Sequence, residues 1–470
     1  MWRIIWQVSP SKLGLLSTKP SSIGELISLG APHFSDILLV GEIEPVFAIP
    51  PDLLRTQLLD TYKDRAIEPL YDLTGYFQAY TNDFQSAKKI VARLKEDPNI
   101  RYADLQPPLF DPVKFSESRI KVELTYDLFP YSGSPNLFAE QGYLQAAPIG
   151  IDAIFAWSLA GGRGDRVKII DIESGWNFQH EDLRQSAGGV IYGPAGNHDH
   201  GTSVLGIYSG DDNNIGVTGI ASESYAMAAS AVWNSVENKW NAAAAIQVAA
   251  DKLQPGDIIL LEMHAPGPNS SPEDWESQRG FIPIEYWDAE FAAISYAVSK
   301  GIYVVEAAGN GGENLDDPIY QNRFDRGYRD SGAILVGGGH SPYSQYPRSR
   351  IYWSNYGSRL DVQGWGEHIV TCGGLSEFNY YDRWKGPSAS QCYTQSFGGT
   401  SGASPLIVGA LACISGILKQ KRVPAVKPLE IRTVLTNTGL SQADSADFPS
   451  AQRIGPLPNI KAILQALHII

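Results

Sequence analysis

Nowhere among its 470 residues does the chain carry an apolar run approaching the roughly 20 residues that a membrane-crossing helix needs. No membrane partner is expected. The N-terminal stretch Met1-Trp2-Arg3-Ile4-Ile5-Trp6-Gln7-Val8 lacks the charged lead and cleavage site of a signal peptide, and it reads as a first strand. The chain therefore reads as soluble, with no compartment assigned. Basic residues are few, 37 Lys and Arg against 51 Asp and Glu, for a net charge of −14. That balance suits solubility and disfavours a nucleic-acid partner, because phosphate binding needs clustered cations. The three cysteines, Cys372, Cys392 and Cys413, are too few for a disulfide scaffold. Cys372 and Cys392 bracket a Tyr- and Gly-rich loop and are open to pairing in an oxidising compartment, whereas Cys413 is expected as a small buried residue. There is no internal repeat, low-complexity tract, phosphate-cradling loop or Cys/His metal cluster, so no metal ligand is assigned.

What is present is a large apolar fraction, 43% hydrophobic and 11% aromatic, in a chain longer than one ordinary domain. The most informative segment is Phe397-Gly398-Gly399-Thr400-Ser401-Gly402-Ala403-Ser404-Pro405, followed by the apolar run from Leu406 to Leu418. Small residues around Ser401 leave its hydroxyl uncovered, and Pro405 is expected in a first helical turn, where its missing N–H costs nothing. A serine there feels the positive end of the helix dipole. The segment is either a nucleophile at a helix start or a small-residue packing contact. A nucleophilic serine requires a base and a group to orient it. His198-Asp199-His200-Gly201-Thr202-Ser203 places His200 before a glycine and a small-residue helix, where it is open between a base and an ordinary surface histidine.

Val167-Lys168-Ile169-Ile170-Asp171-Ile172-Glu173-Ser174-Gly175 reads as a buried parallel strand ending in carboxylates, at the edge where open α/β sheets bind ligands. A turn or capping role for either carboxylate is equally compatible with the pattern. Tyr303-Val304-Val305-Glu306-Ala307-Ala308-Gly309-Asn310 is a second such strand, ending in a glycine-flanked asparagine. Asn310 is either an oxyanion donor or a residue tolerant of left-handed backbone.

In the order acid, His, Asn, Ser, these blocks resemble the subtilisin-like serine peptidases. Glu173-Ser174-Gly175 with His180-Glu181-Asp182-Leu183 is similar to that family's Asp-Thr/Ser-Gly and His-Pro-Asp-Leu, His200-Gly201-Thr202 to its His-Gly-Thr, and Gly399-Thr400-Ser401 to its Gly-Thr-Ser. The resemblance implies an α/β three-layer domain around a mostly parallel sheet. It also implies a serine endopeptidase acting through an acyl-enzyme on Ser401, with His200 as base and Asn310 and the Ser401 N–H as oxyanion donors. The acid departs from the family pattern. Ungapped register puts Glu173 where the family has aspartate, and Asp171 would need a two-residue insertion. Glu173 is taken as the orienting acid and Asp171 as its support. The substrate strand departs too, with Glu262-Met263-His264 in place of the common Ser-Leu-Gly. Glu262 is open between favouring a basic substrate residue and being satisfied by its own surroundings.

Upstream, a strand at 73–80, a helix capped by Asp83 and stopped by Pro98, and a strand at 100–105 form an α+β unit that resembles the family's inhibitory prodomain. The expected organisation is a prodomain-like segment at 1–110, a linker at 111–142 and a peptidase domain at 143–470. The partners so implied are a polypeptide substrate and the chain's own N-terminal segment as inhibitor. No cofactor is implied for catalysis; relatives bind structural calcium, but no carboxylate spacing here identifies a site. A peptide ligase or macrocyclase using the same acyl-enzyme, or a non-catalytic binding protein on the same fold, are the alternatives.

Overall fold

A computed structural model describes residues 1–8, 43–47, 73, 75–112, 133–185, 187–196, 199–234, 239–375 and 380–470. Thr74, His198, residues 9–42 and 48–72 of the expected N-terminal unit, and residues 113–132 of the expected linker lie outside the described residues.

The N-terminal unit contains β1 (Trp2–Val8), β2 (Glu44–Pro45), β3 (Tyr76–Thr81), helix α1 (Phe84–Glu96) and β4 (Ile100–Gln106). Its sheet runs β2-β3-β1-β4, with β1 antiparallel to both β3 and β4. Asp83 caps α1 by accepting from the N–H groups of Gln85 and Ser86, two donors that a helix start leaves orphaned. Ala87, Ile90, Val91 and Leu94 recur at helical spacing, and they pack on Ile4, Trp6, Phe77 and Ala79.

The larger unit is built on seven strands: β5 (Lys168–Glu173), β6 (Ala187–Tyr192), β7 (Tyr225–Ser230), β8 (Ile258–Leu261), β9 (Tyr303–Ala307), β10 (Ile334–Gly339) and β11 (Val362–Trp365). They are all parallel, in the order β11-β10-β9-β8-β5-β7-β6. This is the expected α/β architecture. A parallel sheet covered on both faces needs apolar residues at successive positions, and alternate residues of one strand enter different cores. Ile169, Ile258, Leu260, Tyr303 and Val305 join one core, whereas Ile170, Ile172, Ile259, Leu261 and Val304 join the other.

Helix α2 (Asp199–Ser209) and a long C-terminal helix, Thr400–Lys421, cover the first face; α3 (Ala242–Lys252) and α4 (Asp288–Ser299) cover the second. We label Thr400–Lys421 α5. Its 22 residues are apolar enough in composition to cross a bilayer, yet the apolar stretch is entirely buried in the protein. It is a core helix.

The N-terminal sheet rests on the second face. Ile5, Val46, Phe47 and Tyr76 join the core beneath α3 and α4. Arg3, 3% exposed, donates to Gln78, Gln106, Asn241 and Glu290, linking the sheet to both helices.

All three cysteines are free and buried, so the pairing left open for Cys372 and Cys392 is not found. Cys372 sits directly opposite Tyr393 on the neighbouring antiparallel strand. Side chains alternate faces along a strand, so Cys392 points the other way.

Candidate active site

Strand β5 delivers two carboxylates to the edge of the sheet. Asp171 and Glu173 follow Ile169 at a spacing of two and therefore share the face covered by α2 and α5. Both are fully buried. Beyond them the chain turns through Ser174-Gly175-Trp176, and α2 approaches so closely that a Cβ on Gly201 would lie 2.4 Å from the Gly175 carbonyl oxygen. Glycine at 201 is thus a packing requirement. It brings the preceding residue, His200, against the end of β5.

The imidazole Nδ1 of His200 lies 2.6 Å from Glu173 Oε2. Asp171 instead accepts from the Trp176 indole N–H at 2.7 Å. The two carboxyls lie close enough to influence each other's ionisation. Burial, partly offset by hydrogen bonds, pushes the Asp171 carboxyl up to about 7. Burial and the adjacent Asp171 charge push Glu173 well above the usual carboxylate range.

Ser401 is the second residue of α5, which begins at Thr400 after Gly399 at φ 85°. The helix starts early enough that Pro405 is its sixth residue, beyond the first turn expected for it. Pro405 therefore removes an interior N–H, leaving the Ser401 carbonyl without its usual helical donor. A Cβ at Gly402 would come within 2.6 Å of Ile369 Cδ1, so a larger residue here would require that side chain to shift.

Asn310 follows β9, after Gly309 at φ 89°. Its side-chain oxygen accepts from the backbone N–H and hydroxyl of Thr400, both at 3.0 Å, which turns its amide nitrogen outward. That nitrogen donates to Gln278 Oε1 at 3.2 Å. Gln278 belongs to the long loop after His264–Pro266, and nothing in its sequence neighbourhood marks it as a site residue.

The N-terminal unit reaches this centre directly. Phe110 pairs antiparallel with His264, exchanging two backbone hydrogen bonds of 2.9 Å. The next residue, Asp111, accepts from the Ser174 hydroxyl at 2.6 Å, and its carbonyl accepts from Gln278. Pro112 then places its carbonyl oxygen 3.1 Å from Ser401 Oγ, which donates to it. An extended segment thus lies across the site with a carbonyl at the serine. Trp275 packs on Phe110 and Trp2, tying the loop to the same unit.

Glu262 is fully buried, with the Ser401 hydroxyl beside its carboxyl. The period of two explains this: Ile258 and Leu260 of β8 enter the core beneath α5, and Glu262 continues that face.

Calcium needs six to eight oxygen ligands. Among the described residues, the one close group of three potential ligands is Asp111, Glu173 and His200, which is the site itself. The loop carboxylates Asp182 and Asp211 are taken by protein donors: Val217 and Asn213 for the first, Arg184 and Gln185 for the second. These residues do not fit a calcium ion.

The model of the subtilase family matches residues 164–455. Subtilisin DY of Bacillus licheniformis is 28% identical over 308 residues, which is 64% of this chain and 94% of that protein. Thermitase of Thermoactinomyces vulgaris is 28% identical over 305 residues, covering 63% and 88%. In fold, the chain is similar to fervidolysin from Fervidobacterium pennivorans, described as a keratinolytic enzyme related to subtilisin. The TM-score is 0.57 at 17% identity; the likeness covers 99% of this chain and 60% of fervidolysin. Since the family match spans more than half the residues and includes the ends of β5, β9 and the start of α5, the chain belongs to the subtilase family and is a serine-type endopeptidase.

Proposed function

We propose that this endopeptidase works through an acyl-enzyme on Ser401. His200 takes the hydroxyl proton through Nε2 while its Nδ1–H is held by Glu173, and the Ser401 oxygen bonds to the peptide carbonyl carbon. The Asn310 amide and the Ser401 N–H receive the oxyanion. His200 then returns the proton to the leaving amine, and water hydrolyses the ester. The observation that carries the reading is the 2.6 Å contact between His200 and Glu173, at a site where the neighbouring serine hydroxyl already holds a peptide carbonyl. Asp171, held by the Trp176 indole N–H, supports the orienting acid from the same face of β5 in this reading.

The N-terminal segment acts in this reading as an inhibitory prodomain, and the bond presented to Ser401 is Pro112–Val113. Support comes from the antiparallel pairing of Phe110 with His264, which sets the register, and from the Pro112 carbonyl at the serine. Incubation of the full chain should give a new N-terminus at Val113 and labelling of Ser401 by a fluorophosphonate. Labelling at another residue, or a fully active uncut chain, would overturn the corresponding part.

A further inference from the structure

Gln278 meets the site with both ends of its side chain, and the proposed mechanism gives it no task. Its Nε2 donates to the Asp111 carbonyl at 3.2 Å, one residue before the Pro112 carbonyl that lies at Ser401. Its Oε1 accepts from the Asn310 amide nitrogen, also at 3.2 Å. Backbone groups at both ends fix the direction of this relay. The Thr400 N–H can only donate, so it holds the Asn310 oxygen and turns the amide nitrogen toward Gln278. That nitrogen needs an acceptor, which sets Oε1 on Asn310 and leaves Nε2 for a carbonyl, a group that can only accept.

The loop holds the side chain in place. Gly280 donates to the Gly311 carbonyl at 3.1 Å, beside Asn310, and its own carbonyl accepts from the Gly267 N–H at 2.8 Å, so the loop is closed against the turn that carries Asn310. Gln278 itself sits at φ 60° and ψ 10°, a left-handed conformation that suits glycine and is costly for a longer residue. Strain of this kind clusters at functional sites, and here both polar ends of the strained residue are engaged in the site.

An asparagine amide carries two N–H groups. With one given to Gln278 and the oxygen held by Thr400, the other is left at a fixed angle for the oxyanion, which is the preorganisation that a developing charge needs. We propose that Gln278 is a positioning residue: by gripping the substrate carbonyl that precedes the cleaved residue, it locks Asn310 as oxyanion donor. A carbonyl on Nε2 decides which way the Gln278 amide faces, so substrate binding one residue away from the reacting bond raises kcat as well as lowering KM. The inference rests on the proposed role of Asn310.

The test is a double-mutant cycle on kcat and KM. It uses the full chain incubated to steady activity and an internally quenched peptide with several residues before the scissile bond, with rates expressed per site titrated by a fluorophosphonate. Gln278→Met keeps the length of the side chain and removes both hydrogen bonds. It should raise KM and lower kcat, each about fivefold, the scale of one neutral hydrogen bond. Gln278→Gly, at ease at φ 60°, should fold without strain and show the same two changes. Asn310→Ala should lower kcat roughly 10²–10³-fold. In that background Gln278→Met should still raise KM about fivefold and should leave kcat where it is, because the group it acts through is gone. An equal fall in kcat in both backgrounds would overturn the proposal, as would Gln278→Met and Gln278→Gly enzymes whose kcat equals or exceeds that of wild type. An unchanged kcat for Asn310→Ala would overturn the oxyanion reading itself, and this inference with it.

Discussion

Two groups of carboxylates flank the parallel sheet, and they differ in whether a cation compensates them. On the face covered by α2 and α5, Asp171, Glu173 and Glu262 cluster near one imidazole, and burial raises all three. On the other face, Glu285 is gripped by Arg359 through two hydrogen bonds of 2.6 and 2.8 Å, and Arg359 also donates to Asp361 at 2.9 Å. Burial pushes Glu285 up, but the Arg359 charge and its hydrogen bonds more than offset this and hold it below the usual range. Arg432 does the same for Asp330, which stays down at about 2 against the opposing effect of burial. Where charges are compensated, the protons are settled and the group holds the fold. Where they are not, as also for Glu306 beside Glu285 on the second face, burial raises the carboxyl.

The sharpest way to break this contrast is Ser401→Ala. It should abolish nearly all hydrolysis while leaving the melting temperature close to wild type, with residual catalysis of roughly 10³–10⁴-fold over water. Near-normal turnover by the folded variant would remove the site from the comparison. Glu173→Gln comes next, with an expected loss of about 10⁴ in kcat and little change in KM, because the carboxylate acts mainly in the transition state. Asp171→Asn should cost far less activity, and the reverse ranking would exchange the two roles.

Arg359→Met should show the opposite signature. Removing the cation leaves Glu285 buried and uncompensated, a loss of about 3–5 kcal/mol in denaturant unfolding. Turnover per folded molecule should hardly change. A smaller effect separates the two faces by pH. The folded-state pKa of Asp330 is depressed, so the stability it contributes is present above its unfolded value near 3.8 and is lost as pH falls through about 2. Arg432→Met should therefore flatten the acid limb of the stability curve over that window. The smallest expected effect is that of Ser174→Ala, which removes the 2.6 Å bond to Asp111. It should weaken inhibition by a peptide matching residues 100–112 by only about 10-fold, the low end for one hydrogen bond to a charged group.

Much of this was legible from residue order alone. Asp83, the apolar spacing of Ala87, Ile90, Val91 and Leu94, and the Val-Ile-rich strands are local signals, since capping and side-chain period act within a few residues. Spacing also set Asp171 and Glu173 on one face and placed the glycines beside His200 and Ser401. Which carboxylate meets the imidazole was not local: it depends on Trp176 turning back to hold Asp171, 2.7 Å away, so that Glu173 is left for His200. Gln278 at Asn310 and Pro112 at Ser401 join segments 32 and 289 residues apart. Sequence by itself determined the family, the strand and helix periods and the chemical groups available. Only the tertiary structure decided which of those groups meet and which carboxylates receive a cation, because burial and charge compensation are properties of distant chain segments brought into contact.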